Sequence, residues 1–314
     1  MLKQMEKAKD RIARVIIGKD FEIELLFTAL LADGHVLLES VPGSGKTKLA
    51  KSFAKVIHGA FNRIQFTPDV LPSDVTGIQY YNPKTQEFQL RSGPVMTNIL
   101  LVDEINRATP KTQSSLLEVM EEKQTTVDGD TLHITPPFCV LATQNPVEGS
   151  QGTFPLPEAQ LDRFLFKIDM GYPELEEEKR ILQTYRQHDP LQELEAVLSL
   201  EEVLHLKKSV QNITVSEAAV DYLLAIIHET RKNEDVELGV STRGALALMR
   251  ASQAQALLHD RNFVTPQDIK KLAPYVIEHR LVLSIEGTFR KTKKQVLEEI
   301  MNEVQVPVEE GGVR

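Results

Sequence analysis

The feature that most constrains this chain is the octet Ser40-Val41-Pro42-Gly43-Ser44-Gly45-Lys46-Thr47, set between an apolar run, His35–Glu39, and a helical pattern, Lys46–His58. Glycines let such a loop curl until several backbone N–H groups face one anion, and the helix N-terminus adds positive potential. In that geometry Lys46 reaches β- and γ-phosphates and the Thr47 hydroxyl ligates Mg²⁺. The full pattern asks for Gly where this chain has Ser40, and a bare Gly-Lys-Thr also suits a strand–turn–helix corner that merely tolerates glycine. The strand signal before the loop and the helix signal after it favour nucleotide binding.

The rest of the first half supports the same setting. His35–Glu39, Asn62–Phe66, Ile99–Asp103, Phe138–Thr143 and Phe164–Ile168 are short runs of branched or aromatic residues ending in polar ones, the signature of buried strands. Helical stretches such as Lys111–Lys123 alternate with them, which predicts a parallel sheet covered on both faces. After Gly171-Tyr172-Pro173 the pattern turns helical: Glu174–Tyr185, Leu200–Val210, Ser216–Glu229, Thr242–Asp260 and Thr265–Glu278. Thr265-Pro266 and the Ser199-x-x-Glu202 capping box mark helix starts. The expected fold is therefore α/β, a parallel-sheet core over 1–172 with a smaller all-helical domain over 173–314, whose tail from Gln305 is predicted to fray.

Composition narrows the function classes. The chain has 314 residues, 36 Lys+Arg against 45 Asp+Glu, and a net charge of -9, which argues against a protein basic enough to coat nucleic acid or anionic lipid. Its one cysteine, Cys139, excludes an intramolecular disulfide and a multi-Cys zinc site. The charged start MLKQMEKAKDRIARVIIG lacks the apolar centre of a signal peptide, and no apolar stretch approaches the ~20 residues of a membrane span. A soluble, cytoplasmic protein is expected. The histidines are scattered without metal-ligand spacing.

Four further residues, in three stretches, carry chemistry. Leu101-Val102-Asp103-Glu104 delivers two acids at a strand's C-terminal end, where open α/β sheets bind ligands. Asp103 can hold Mg²⁺ through water, and Glu104 can polarise an attacking water; an ordinary acidic turn is the alternative. Asn145, after the strand Phe138–Thr143 and before Pro146, can orient that water, or be a turn Asn. Arg163, in Leu161-Asp162-Arg163-Phe164, suits charge stabilisation because its fork stays protonated, but equally suits a salt bridge with Asp162 or a neighbour.

In this order, phosphate loop, Asp-Glu strand, Asn after a strand and Arg before one, the chain resembles the AAA+ ATPases and, within them, the MoxR family. The matching stretches are FTPDVLPSDVTG (66–77), ILLVDEINRATPKTQSSLLEVMEE (99–122), LATQNPVEGSQGTFPLPEAQLDRFLFKI (141–168), GVSTRG (239–244) and APYVIEHRL (273–281). The resemblance implies ATP and Mg²⁺ as ligands, with Pro42, Gly43, Ser44, Gly45, Lys46, Thr47 and Lys48 on the phosphates, Thr47 and Asp103 on the metal, and Glu104 and Asn145 at the attacking water. It implies an arginine finger at Arg163 and a second sensor at Arg243. Ile16, Ile17 and Gly18 look like the segment lining the adenine pocket, with core packing as the alternative for the two isoleucines. Gly244 stands where the lid motif often has Ala, which loosens the helix slightly.

An arginine finger needs a neighbouring γ-phosphate, so the resemblance also implies a homo-oligomer, a hexameric ring, that remodels or activates a protein client, with von Willebrand factor A domain proteins as frequent partners. GIQYY and EFQLR flank Tyr80–Thr85 as a β-hairpin matching the family's helix-2 insert, and Asp128-Gly129 turns a second hairpin. Such hairpins face a pore or client, or are solvated decorations. Rival readings are a nucleic-acid-stimulated motor, which the acidic balance and the single Lys84 on the hairpin disfavour, a magnesium-chelatase-like subunit, and a nucleotide-gated scaffold without turnover. No Asn-Lys-x-Asp guanine-reading motif is present.

Overall fold

A computed structural model describes residues 1–39, 43–145 and 152–307; residues 40–42, 146–151 and 308–314, with Pro42 and Pro146 among them, lie outside the described residues. Two helices, α1 (Leu2–Val15) and α2 (Asp20–Leu31), precede β1 (Val36–Glu39), and α3 (Lys46–Val56) leads into β2 (Phe61–Gln65). A short α4 (Pro72–Thr76) opens a hairpin of β3 (Gly77–Asn82) and β4 (Glu87–Ser92), followed by β5 (Ile99–Asp103) and α5 (Pro110–Glu122). A second hairpin, β6 (Gln124–Val127) and β7 (Asp130–His133), precedes β8 (Cys139–Gln144), α6 (Glu158–Leu161) and β9 (Phe166–Asp169).

The central sheet is five-stranded and wholly parallel, in the order β2-β5-β8-β1-β9. Every expected strand is present, displaced by no more than two residues. The strands read as apolar runs because both faces are covered. Alternation then sorts them: Val36, Leu38, Ile99, Leu101, Cys139, Leu141, Phe166 and Ile168 pack toward α1, α2 and α3. Leu37, Ile64, Leu100, Val102, Val140 and Ala142 pack toward Leu116, Leu117, Val119 and Met120 of α5.

Parallel polarity brings the ends of β1, β5 and β8 to one edge. In register, Gln65 pairs with Asp103, Val102 with Ala142, and Leu38 with Thr143, so Gln65, Asp103, Thr143 and Leu38 form one row across the sheet. Both hairpins stand off the main sheet. Asp128 (φ 49°) and Gly129 (φ 97°) make the tight two-residue turn expected of Asp-Gly. The β3–β4 hairpin exposes Tyr81 and Phe88, whose rings meet edge to face with centroids 5.6 Å apart.

The second half runs through α7 (Leu175–Tyr185), α8 (Pro190–Glu193), α9 (Leu200–Val210), α10 (Glu217–Lys232), α11 (Thr242–Leu258), α12 (Pro266–Ile277), α13 (Ile285–Arg290) and α14 (Lys293–Glu303). It is helical with one addition. The loops after α10 and α12 pair as a small antiparallel ribbon, β10 (Val236–Leu238) with β11 (Val282–Leu283). These strands are too short to show periodicity in the sequence. Ser199 and Thr265 cap α9 and α12 by accepting from the amides of Glu202 and Asp268, each with a reciprocal capping-box bond.

The helical half is keyed to the sheet at its N-terminal edge. Arg280 is buried; its Nε donates to Asp162 Oδ1 at 2.6 Å, and its Nη2 to the carbonyls of Phe164 at 2.7 Å and Asp162 at 3.1 Å. Glu24 of α2 accepts from Lys271 of α12 at 2.9 Å and meets Lys9 of α1 at 3.2 Å. Burial opposes ionisation of Glu24, but hydrogen bonds from Lys271 and Gln255 and the charge of Lys9 together pull its carboxyl down to about 2.

Candidate functional site

The phosphate-type loop follows β1 at the C-terminal edge of the sheet. Gly43 (φ 86°) and Gly45 (φ 84°) hold left-handed backbone conformations that L side chains rarely adopt, and no atom of the described residues lies within 4 Å of where a Cβ would stand on either. Gly45 is also the N-cap of α3, and its carbonyl accepts from Leu49 N at 2.9 Å. From Gly43 on, the loop presents a glycine corner at a helix N-terminus. Ser44 Oγ is buried and finds no hydrogen-bond partner among the described residues. A buried hydroxyl without a partner fits a site that an oxygen-rich ligand completes.

A cavity of about 460 Å³ opens beside the loop. Ile16, Ile17, Gly43, Ser44, Gly45, Lys46, Thr47 and Lys48 all line it, so the segment before α2 and the loop, read separately from the sequence, meet around one space. Pro42 lies outside the described residues. Gly18 is not part of the lining. It turns the chain at φ 76°, with the Glu177 carboxylate so close that a Cβ would lie 2.2 Å from its Cδ. The wall opposite comes from Ile181 and Tyr185 of α7, which sequence reasoning missed. Their i,i+4 spacing on one helix face is the only local signal for them.

Tyr185 is anchored by its hydroxyl, which donates to Val15 O at 2.8 Å, and its ring carries Lys48 Nζ 3.7 Å from the centroid. Burial pushes its phenol up, against the pull of Lys48, so it stays a neutral donor. Lys48 also meets Asp189 at 3.2 Å and is held at the cavity's rim, tying α3 to the start of α8.

The acidic pair lies along the same sheet edge. Asp103 is 5 % exposed; its Oδ2 accepts from Arg63 Nε at 2.6 Å and its Oδ1 from Thr143 Oγ1 at 3.3 Å. Thr143 in turn accepts from Glu104 N at 3.0 Å, linking β8 to the acidic pair. Glu104 adopts a left-handed conformation (φ 57°, ψ 52°), and its Oε2 accepts from Gln65 Nε2 at 2.8 Å and meets Arg107 Nε at 3.0 Å. Arg63 and Gln65 were also missed; on an edge strand, polar residues at i and i+2 share one face, and the register sets Gln65 beside Asp103. Asn145 follows β8 at the same edge, half-buried.

Among the described residues no cluster of three or more His, Cys, Asp or Glu could cage a metal ion. One carboxylate, Asp103, plus the Thr47 hydroxyl is nonetheless what Mg²⁺ arriving with phosphates requires, since it keeps waters and shares its coordination with the substrate. The donor set fits that ion.

Arg163 and Arg243 stand elsewhere. Arg163 does not pair with Asp162, which Arg280 occupies; its Nη1 meets Glu121 Oε2 at 2.6 Å and donates to Leu117 O at 3.1 Å. Arg243, in the first turn of α11, meets Glu121 Oε1 at 3.2 Å. Glu121 belongs to α5, whose Met120 carbonyl bonds His35 just before β1, so both arginines lie near the sheet's N-terminal edge, across it from the loop after Glu39.

A parallel sheet with a glycine-rich corner after one strand, an acidic pair after another, and a helical second half whose first helix walls the cavity defines a P-loop nucleotide-binding ATPase fold of the AAA class. Residues 35–166 match the ATPase family associated with various cellular activities, and residues 228–300 match the AAA lid domain. The chain is 52% identical over 309 residues to the uncharacterized protein YeaC of Bacillus subtilis, covering 98% of this chain and 96% of that one. It is 42% identical to Chaperone MoxR1 of Mycobacterium tuberculosis, over 96% of this chain and 82% of that one. A crystal structure from Cytophaga hutchinsonii described as a candidate ATPase superposes with a TM-score of 0.90 at 35% identity, covering 98% and 96% of the two chains. This chain belongs to the MoxR family of AAA+ ATPases. No helix among the described residues is long and apolar enough to cross a membrane.

Proposed function

We propose that the protein binds ATP with Mg²⁺ at the loop Pro42–Lys48 and hydrolyses it in a cytoplasmic homo-oligomeric ring, a hexamer, whose motions remodel or activate a protein partner. The observation that carries the reading is the cavity beside the loop, where left-handed Gly43 and Gly45, the buried Ser44 hydroxyl with no partner among the described residues, and the Lys46 helix start converge. Residues 1–172 would form the nucleotide-binding core and 173–314 the lid.

Each residue then has a physical task. Lys46 and the loop amides grip the triphosphate, and Ile16, Ile17, Ile181 and Tyr185 offer the adenine an apolar slot. Asp103 and Thr47 would hold Mg²⁺, which would supply charge neutralisation to the phosphates. Glu104 polarises the attacking water and Asn145 orients it. Gln65 and Arg107 hold the Glu104 carboxylate until substrate arrives. Arg163 and Arg243 answer the charge that develops on the γ-phosphate of the next copy, because their own loop lies at the other end of the strands. An arginine supplied this way is worth about 10³–10⁵ in rate. The name Chaperone MoxR1 of the mycobacterial relative supports a client protein as the output, and a von Willebrand factor A domain protein is the partner the family resemblance favours.

The test is direct. K46A should lose ATP binding, while E104Q should bind ATP normally and turn it over at least 10²-fold more slowly, as read by nucleotide titration and phosphate release. Normal hydrolysis by E104Q would refute the assignment of Glu104.

A further inference from the structure

Glu121 stands between two guanidinium groups from different halves of the molecule. Its Oε2 takes Arg163 of the sheet core at 2.6 Å, and its Oε1 takes Arg243 of the lid helix α11 at 3.2 Å. Two fixed cations this close repel each other, and a carboxylate with one oxygen for each offsets that repulsion. The side chains of Arg163, Glu121 and Arg243 are 31%, 39% and 51% exposed, so the group is accessible rather than sealed in the core. Each guanidinium has five N–H donors. Arg163 gives donors to Glu121 and to Leu117 O, and Arg243 gives one to Glu121, which leaves the remaining N–H groups of each fork for phosphate oxygens.

The polarity of the sheet says which phosphate. Leu165 N donates to His35 O at 2.8 Å, just ahead of β1, whereas the glycine-rich loop begins past Glu39. Four residues of strand separate the two edges by about 13 Å. A second copy of this chain can bring its loop to this arginine face.

We propose that Glu121 is a positioning residue that couples Arg163 and Arg243 into one two-pronged cation for the nucleotide held by an adjacent copy. This rests on the ATPase reading above. In this arrangement the lid angle is communicated to the neighbour, because moving α11 moves Arg243 relative to Arg163 unless Glu121 keeps them together. Glu121 makes no contact with substrate itself. A carboxylate that instead only parks the arginines would behave oppositely, since its removal would free them and speed turnover.

The experiment compares wild type, E121Q, R163A and E104Q, alone and in mixtures, by steady-state ATP hydrolysis and nucleotide titration. E121Q should bind ATP within twofold of wild type and keep KM, while kcat falls roughly 10–100-fold, the scale of a misplaced catalytic group. Mixing E121Q with E104Q should return turnover, because E104Q copies present intact arginine faces to E121Q copies whose own Glu104 is intact. A merely structural loss would not be repaired by mixing. A kcat at or above wild type in E121Q, or a loss that E104Q fails to repair while it does repair R163A, overturns the role of Glu121 alone. Absence of turnover in wild type overturns the proposed function and this inference with it.

Discussion

Gly244 lies in the first turn of α11, where an added Cβ would meet Val240 Cγ1 at 2.5 Å and Arg280 Cδ at 3.0 Å. In an open helix, Gly to Ala gains about 1 kcal/mol. Here Val240 is buried and β-branched, and Arg280 is fixed by its bonds to Asp162 and Phe164, so neither can yield cheaply. Overpacking costs about 1–3 kcal/mol, which outweighs the propensity gain. G244A should therefore lower stability by about 1 kcal/mol, read as a reduced denaturant midpoint, although pattern alone takes the glycine for a slight flaw. The same contrast runs through the site. Lys46, Asp103 and Glu104 stand out in the sequence because a strand end and a loop declare them locally. Gln65, Glu121 and Arg107 do not, because each owes its place to a partner brought by strand register or helix packing.

His35 shows what an element requires of one side chain. It precedes β1 and is buried between strand and helix: Val140 N donates to its Nδ1 at 3.0 Å, and its Nε2 bonds Met120 O at 3.0 Å. The ring must be neutral with the proton on Nε2, since a second proton on Nδ1 would face an amide N–H. Burial, the leading cause, lowers its pKa from 6.5 to about 4. The unfolded chain therefore takes up a proton that the native state refuses. Stability is fully present above pH 6.5 and is lost as pH falls toward 4, by about 3 kcal/mol in all. Denaturant melts between pH 7 and pH 4 should show this slope, and a wild type whose midpoint stays flat over that range would show that His35 ionises as freely when folded. Strands such as β5 and β8 were legible because a doubly covered sheet writes itself as an apolar run. The ribbon of β10 and β11 was not, since strands of three and two residues carry no period.

Across the whole molecule several ion pairs join the second half to the first, among them Arg280 with Asp162 at the sheet's N-terminal edge and Lys271 with Glu24 of α2. Arg280 is buried against one carboxylate and several carbonyls, so R280A removes a donor from those carbonyls and takes the ion-pair partner from Asp162. Losing one member of such a pair costs about 3–5 kcal/mol. R280A should lower the thermal midpoint well beyond G244A and loosen Arg243 with it, as read by melting and by ATP turnover. D162N should also be costly, because the carbonyls still accept from Arg280 but the buried guanidinium loses its counter-charge.

One apolar cluster runs from Met5 and Ile12 of α1, through Leu25, Leu26 and Leu30 of α2, into Leu206 of α9, Leu248 of α11 and Ile269 of α12. The nucleotide core and the lid therefore share an interior. Severing the gene after residue 172 would leave both fragments with greasy, unpaired flanks. Neither piece should be recoverable as a well-behaved monomer, and co-expressing the two should rescue each other's solubility.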